Sequence, residues 1–466
     1  MAYRKAFGSF IIVMALTIWS SSTSASSDVV EKVQTFLYAG KTWRAESVVR
    51  ERLAEAPDDD QARFALGAVQ FLQAIERLGQ SLHRYGLSTS YHDPTGLSGL
   101  PFLRIPIPEN PDPEKVTYEG LRGVLRALIV DLETAERTLS SVKNQTIDFP
   151  LNIGYIHLDL NGDGTASGDE ALWRIFKRVA SLPWLNEEEA AKFKTDFDES
   201  DVPWLRAYSH LLMAIAEFPL AHDWRDAFET TFHRLFPKAG LPSSGLDEND
   251  AEAIAELAKL GAPPRRPRPQ SGDDRFDYRE RLEKWRSSPE GEKSRRISSL
   301  RSQVRLSGIA DLIAFVHLNH WPVVEPARMR RVLEHLEAMV RLSRENWRRI
   351  NSETDNRNEW IPNPKQSGVL PRMRVTEDRV AGWMLFLDEF GALLEGKKLL
   401  PHWRFDRGIN LRRMFLEPST FDIVLLIQGS AALPYLEEGE LTSEETWRRM
   451  TEIFGGEFFR YFVWFN

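Results

Sequence analysis

The chain has 466 residues, with 42% hydrophobic and 27% charged residues and a formal net charge of -8. Those values exclude a wholly disordered chain and a polytopic membrane protein, and they give no electrostatic reason to expect nucleic-acid binding. There is no cysteine, so disulfides, zinc-thiolate sites, iron-sulfur clusters and thiol nucleophiles are all excluded. Fourteen Trp and 26 Phe predict an aromatic-rich core.

The first 25 residues read as a signal peptide. Arg4 and Lys5 precede an uncharged stretch from Ala6 to Trp19, centred on Phe10 to Leu16, and small polar residues then run to Ala25. At ~14 residues the apolar run is shorter than the ~20 that span a bilayer. An uncleaved anchor is the alternative. The expectation is an exported protein, periplasmic or extracellular, with no stable membrane span after signal removal.

The rest of the chain reads as mainly α and multi-helical. In residues 26–88 apolar positions recur at helical spacing, with Val48, Val49 and Leu53 on one face and Phe64, Leu66, Val69, Phe71, Leu72 and Ile75 on another. Gly40, Ala45, Val49 and Pro57, then Ala62, Leu66 and Gly67, stand where a tetratricopeptide repeat places its turn glycine, helix-packing residues and closing proline. The segment resembles about one and a half such repeats, which implies a helical hairpin able to receive a protein partner. An ordinary amphipathic hairpin is the competing reading. A proline-rich loop is expected at 89–114 and a helix at about 117–142. The stretch 262–300 reads as a charged, Pro-rich linker, since between Arg265 and Arg305 there are 13 Lys or Arg against 7 Asp or Glu. A helical C-terminal domain is expected over 301–466, with Thr442-Ser-Glu-Glu445 as a capping box.

One segment carries a specific chemical pattern. Residues 159–170 read Asp-Leu-Asn-Gly-Asp-Gly-Thr-Ala-Ser-Gly-Asp-Glu. Alternating oxygen-bearing side chains in a tight turn, closed by a distant glutamate, are what a hard cation taking six to eight oxygens requires. The segment resembles an EF-hand calcium loop at every constrained position. That resemblance implies Asp159, Asn161 and Asp163 as side-chain ligands and the Thr165 carbonyl as a backbone ligand. Ser167 would act directly or through water, and Glu170 with both carboxylate oxygens. Gly164 would permit the sharp turn. Pro150 and Gly154 disfavour an entering helix, so the segment before the loop reads as extended, as in dockerin-like loops, while Leu172, Ile175, Phe176 and Val179 predict an exit helix to about Ala180. Ala166 is small where a branched residue usually bridges to a paired loop. Residues 196–207, with Asp196, Asp198 and Ser200, read either as a degenerate second loop after a helix at 186–194 or as an ordinary helix connection.

Other groupings are weaker. His317 and His320 lie one helical turn apart without the acid of a zinc-protease motif. The stretch from Pro401 to Arg407 gathers His402 with charged and aromatic neighbours, so the alternative function is an exported enzyme with its site near Trp383–Arg407. The aromatic tail from Glu457 to Asn466 reads as a buried terminal element or a docking tail. Asn144 matches a glycosylation acceptor. The sequence therefore predicts an exported calcium-binding protein, with calcium in a structural role and the helical surfaces serving a protein or envelope partner.

Overall fold

Capping residues and helix-period apolar stripes produce an almost entirely helical chain. The structure, a computed structural model, describes residues 28–87, 105–143, 147–180, 182–240, 275–370 and 372–466, with 253–268 in part. The expected signal peptide, Asn144 and most of the expected 89–114 loop lie outside the described residues.

Helices α1 (28–38), α2 (Thr42–Glu55) and α3 (Asp60–Arg84) form the N-terminal part. Gly40 turns α1 into α2 with φ +66°. Asp59 caps α3 by accepting from the Ala62 N–H at 2.9 Å, satisfying one of the helix's orphan donors. Ala45 and Val49 are fully buried against α3, and Ala62 and Leu66 are buried as well. Helix α4 (Tyr118–Ser140), capped by Thr117, packs closely on α3, and a Cβ on Gly67 would lie 2.5 Å from Leu139.

Strand β1 (Phe149–Asn152) pairs antiparallel with β2 (Lys194–Phe197), Phe149 opposite Phe197. Between them lie α5 (Leu172–Val179) and the single turn α6 (Glu187–Ala190). Helix α7 (Asp201–Ala221) is central, packed against α4 and against a later helix. A short α8 (Arg225–Thr231) follows. Most of the stretch expected as linker is helical: α9 (Arg275–Arg286) lies in it, and α10 (Pro289–His317) begins there. Ser288 and Pro289 start α10 with a cap and an N1 proline, a signal that outweighs high charge. Helix α11 (Pro326–Ile350) lies along α7, and α12 (Glu377–Leu394) along α11. A second two-stranded sheet joins Gly408–Ile409 to Leu436–Glu437.

One continuous core runs from Val30 to Phe465, shared by the segments on either side of α9 and α10. The aromatic tail is part of it. In the last helix, Phe458–Phe465, Trp464 and Phe465 are fully buried, and the Phe465 ring meets Trp347 edge-on at 4.7 Å. Trp464 donates to the Trp360 carbonyl at 3.0 Å, and Trp204 donates to the Trp464 carbonyl at 3.0 Å. The helix Glu444–Ile453 starts one residue later than the capping box expected: Ser443 accepts from the Thr446 N–H, while the Thr442 hydroxyl accepts from Trp447. No described helix is long and apolar enough to cross a membrane.

The α7–α11 contact holds a line of charged side chains within the apolar core. Glu217 accepts from Arg328 at 2.6 Å and Arg331 at 2.7 Å. His210 and His335 share a hydrogen bond of 2.9 Å, and His210 reaches Glu136, which Arg206 grips at 2.9 Å. Burial, with the neighbouring His210 and Arg331 adding to it, pushes His335 down to about 4, against the pull of Glu217 and Glu136. A base whose folded pKa lies below its unfolded value stabilises the fold above pH 6.5 and loses that contribution as pH falls toward 4. Between those limits His335 is expected to cost up to ~3 kcal/mol of stability. Urea unfolding at pH 7 and pH 4.5 should therefore differ more for the parent protein than for His335→Asn, and equal differences would reject the assignment.

Candidate cation loop and a second acidic cluster

The loop at 159–170 is closed at its base by short extended segments. Leu158 N–H donates to the Glu170 carbonyl at 3.1 Å, and Leu172 N–H to the Ile156 carbonyl at 2.9 Å. The chain enters from β1 through a single 3-10 turn, Ile153–Tyr155, with no entering helix, as Pro150 and Gly154 predicted. It leaves through a 3-10 turn, Gly168–Glu170, and then α5.

Helix α3 lies beside the loop. Gln80 donates to the Asp159 carbonyl at 2.8 Å. Leu160 is fully buried against Gly79, where a Cβ would lie 2.5 Å from its side chain. Glu76, one turn before Gln80, is buried and accepts from the Thr42 hydroxyl at 2.5 Å. Burial pushes Glu76 up to about 7, and the nearby Asp159 carboxylate adds to the rise. Ala166 packs against Gly40, whose Cβ would lie 2.2 Å from the Ala166 Cβ, so the small residue at this position serves the α1–α2 turn.

Inside the loop the side chains organise the backbone. Asp159 Oδ1 accepts from the N–H groups of Gly162 and Asp163 at 2.8 and 3.1 Å, and Oδ2 from Gly164 at 2.9 Å. Gly162 and Gly164 take φ of +76° and +83°, a conformation only glycine adopts at little cost. Asn161 Oδ1 accepts from Asp163 N–H at 2.9 Å, and Asp163 Oδ1 from Thr165 N–H at 2.7 Å. Glu170 is fully buried. Its Oε1 accepts from Leu160 and Asn161 at 2.9 and 3.2 Å, and its Oε2 from Ser167 N–H at 2.7 Å. Asp163, Thr165 and Ser167 are exposed on the rim. The six expected residues thus share one turn of chain rich in oxygen-bearing groups, with the carboxylates of Asp159 and Glu170 each accepting from backbone N–H groups.

The tightest convergence of acids lies elsewhere. Oxygens of Asp198, Glu353 and Glu359 all lie within 4.8 Å of one another, the one such group among the described residues, so the expected carboxylate ligands Asp159, Asp163 and Glu170 are more widely spread. Burial raises Asp198 and Glu359, pushes Glu353 up to about 7, and raises the adjoining Asp201 well above its ordinary value. Asp198 stands in the stretch considered as a degenerate second loop. That stretch is the end of β2 followed by α7, which begins at Asp201 and contains Ala207. The helix expected at 186–194 is only the turn α6, capped by Asn186. Glu353 and Glu359 were missed because they are distant in sequence and follow no spacing rule.

The residues near His402 form no comparable group. His402 Nε2 lies 3.2 and 3.1 Å from the Leu426 and Ile427 carbonyls, and Trp383 is fully buried with its N–H on Ser343. His320 meets Asp422 at 3.4 Å.

The fold and loop define a mainly helical protein with one oxygen-rich turn seated on its N-terminal helices. No family model matches the chain, and no curated protein or solved structure matches it.

Proposed function

We propose that this is an exported calcium-binding protein whose loop at 159–170 takes one calcium ion in a structural role. Its helical surfaces would serve a protein or envelope partner. The observation that carries the reading is the twelve-residue run of oxygen donors, folded on Asp159 and closed by the buried Glu170. Asp159, Asn161, Asp163, Glu170, the Thr165 carbonyl and Ser167 would hold the ion. A single loop without an entering helix suits the weak range of extracellular modules, ~10⁻⁴–10⁻³ M, and constitutive filling outside the cell. Bound ion would stabilise the fold by linkage, by about 2.7 kcal/mol at one hundred times Kd.

Calorimetric calcium titration of the protein, with heat denaturation in calcium and in chelator, tests this. The parent should bind one ion and unfold at higher temperature, and Asp159→Ala should do neither. A second reading comes from the convergence of Asp198, Glu353 and Glu359. If Asp159→Ala responds normally and Asp198→Asn does not, the ion belongs to that cluster and the loop assignment is rejected.

A further inference from the structure

The short helix Ile423–Gln428 reads Ile-Val-Leu-Leu-Ile-Gln, and none of its residues is buried. Ile423, Val424 and Ile427 share one exposed face of it, with Ile427 62% exposed, and the adjoining Trp403 is 72% exposed. A neighbouring element behaves alike. On α10, Leu306, Ile309, Ile313 and Val316 recur at spacings of three and four, which places them on one face, and all four are exposed. The two elements adjoin, because Trp321, just after α10, exchanges backbone hydrogen bonds with Phe421 at 2.8 and 2.9 Å. Apolar side chains gathered in this way on a surface mark an interaction site.

The polar groups of this surface suit contact with hydrocarbon. A helix that leaves water must satisfy its backbone from within the chain. Asp422 caps the short helix by accepting from the Leu425 N–H at 2.9 Å. At the other end Gly429 N–H donates to the Leu425 carbonyl at 2.8 Å and Trp403 Nε1 to the Ile427 carbonyl at 3.0 Å, while His402 Nε2 lies 3.2 Å from the Leu426 carbonyl. Trp403 therefore presents carbon to its surroundings with its side-chain donor already taken. The charge beside it is positive, although the chain as a whole carries -8. The Arg404 guanidinium lies 4.4 Å over the Trp403 ring. Arg404 and Arg407 are exposed and form no ion pair among the described residues, and Asp406 is the acid between them. Helices α9 and α10 belong to the stretch with 13 Lys or Arg against 7 Asp or Glu. Cations flanking an apolar face complement anionic headgroups above a hydrocarbon layer.

We propose that this surface docks on a membrane bearing anionic lipid, with Trp403 and the short helix entering the interface and the arginines resting on headgroups. It rests on the envelope-partner part of the reading above and not on the calcium loop, so its test is run in chelator and its failure leaves the calcium titration untouched. The full protein is cosedimented with vesicles of phosphatidylcholine alone and of an equal mixture of phosphatidylcholine and phosphatidylglycerol. The parent should bind the mixed vesicles at least fivefold more tightly, and added salt should weaken that binding. Ile427→Asp should weaken binding to the mixed vesicles at least tenfold, and Ile427→Ser serves if that variant fails to fold. Arg404→Gln should cost about fivefold on the mixed vesicles and nothing on phosphatidylcholine. Absence of binding by the parent, undiminished binding by the folded Ile427 variant, or an Arg404→Gln effect that is the same on both vesicle types would each overturn the proposal. A parent dimer that Ile427→Asp splits in sedimentation would assign the face to a second copy of the chain and overturn it as well.

Discussion

In chelator, Glu170→Ala is expected to lose about 3 kcal/mol of stability, and addition of calcium should recover none of it. The reason lies in what the carboxylate already does without an ion. It is fully buried and accepts from three backbone donors, Leu160, Asn161 and Ser167. Each buried donor left without an acceptor costs ~1–3 kcal/mol, and the exposed Ser167 end recovers part through water. Glu170→Gln keeps one carbonyl oxygen but turns an amide N–H₂ toward a donor, so about 1–2 kcal/mol is expected. Asp163→Ala, on the exposed rim, removes an expected ligand with little buried loss. Three behaviours are thereby separable by urea unfolding with and without calcium. If Glu170→Ala is as stable as the parent in chelator, the closing role of this residue is wrong. If it is destabilised yet keeps a full calcium response, the ion sits elsewhere.

The same residue shows how much of the site was legible in the sequence. Glycine positions, alternating oxygens and the exit helix are local, and local rules read them well: Gly162 and Gly164 take positive φ, and Leu172 opens α5. The missing entering helix was also legible, from Pro150 and Gly154. The seat was not. Glu76, Gly79 and Gln80 contact the loop from about eighty residues away, and no periodicity encodes that contact. The acidic group at Asp198, Glu353 and Glu359 is further out of reach, because it forms only when β2 and the turn after α11 meet. Charge also misled. The stretch 262–300 is basic and proline-rich at its start, yet a Ser-Pro cap and a long run without helix breakers make most of it helical. The tail shows the opposite case, where dense aromatics over a few residues correctly indicated a buried end.

The other large effect expected is at Arg122, which no motif singles out. It is 4% exposed on α4, yet it serves the far end of α7. Pro219 stands in the last turn of that helix, and the final carbonyls need donors from outside. Arg122 supplies them. Its Nη1 donates to the His222 carbonyl at 2.9 Å, and its Nη2 to the Leu220 carbonyl at 2.8 Å. The same Nη2 pairs with Glu325 beside the first turn of α11 at 2.9 Å. One guanidinium therefore ties three helices, with a positive charge placed at the negative end of a helix dipole. Arg122→Met should cost about 3–5 kcal/mol, since it strands the buried carbonyls of Leu220 and His222 at ~1–3 kcal/mol each. Arg122→Lys should recover little of that, because an ammonium on a flexible stem lacks the planar fork that reaches several acceptors at once. Glu325→Gln should cost under ~1 kcal/mol, because the carboxylate is partly exposed and the carbonyl contacts survive. Urea unfolding of the three variants checks the ordering. A loss below about 1 kcal/mol in Arg122→Met would mean that water reaches the end of α7 and satisfies those carbonyls without the arginine.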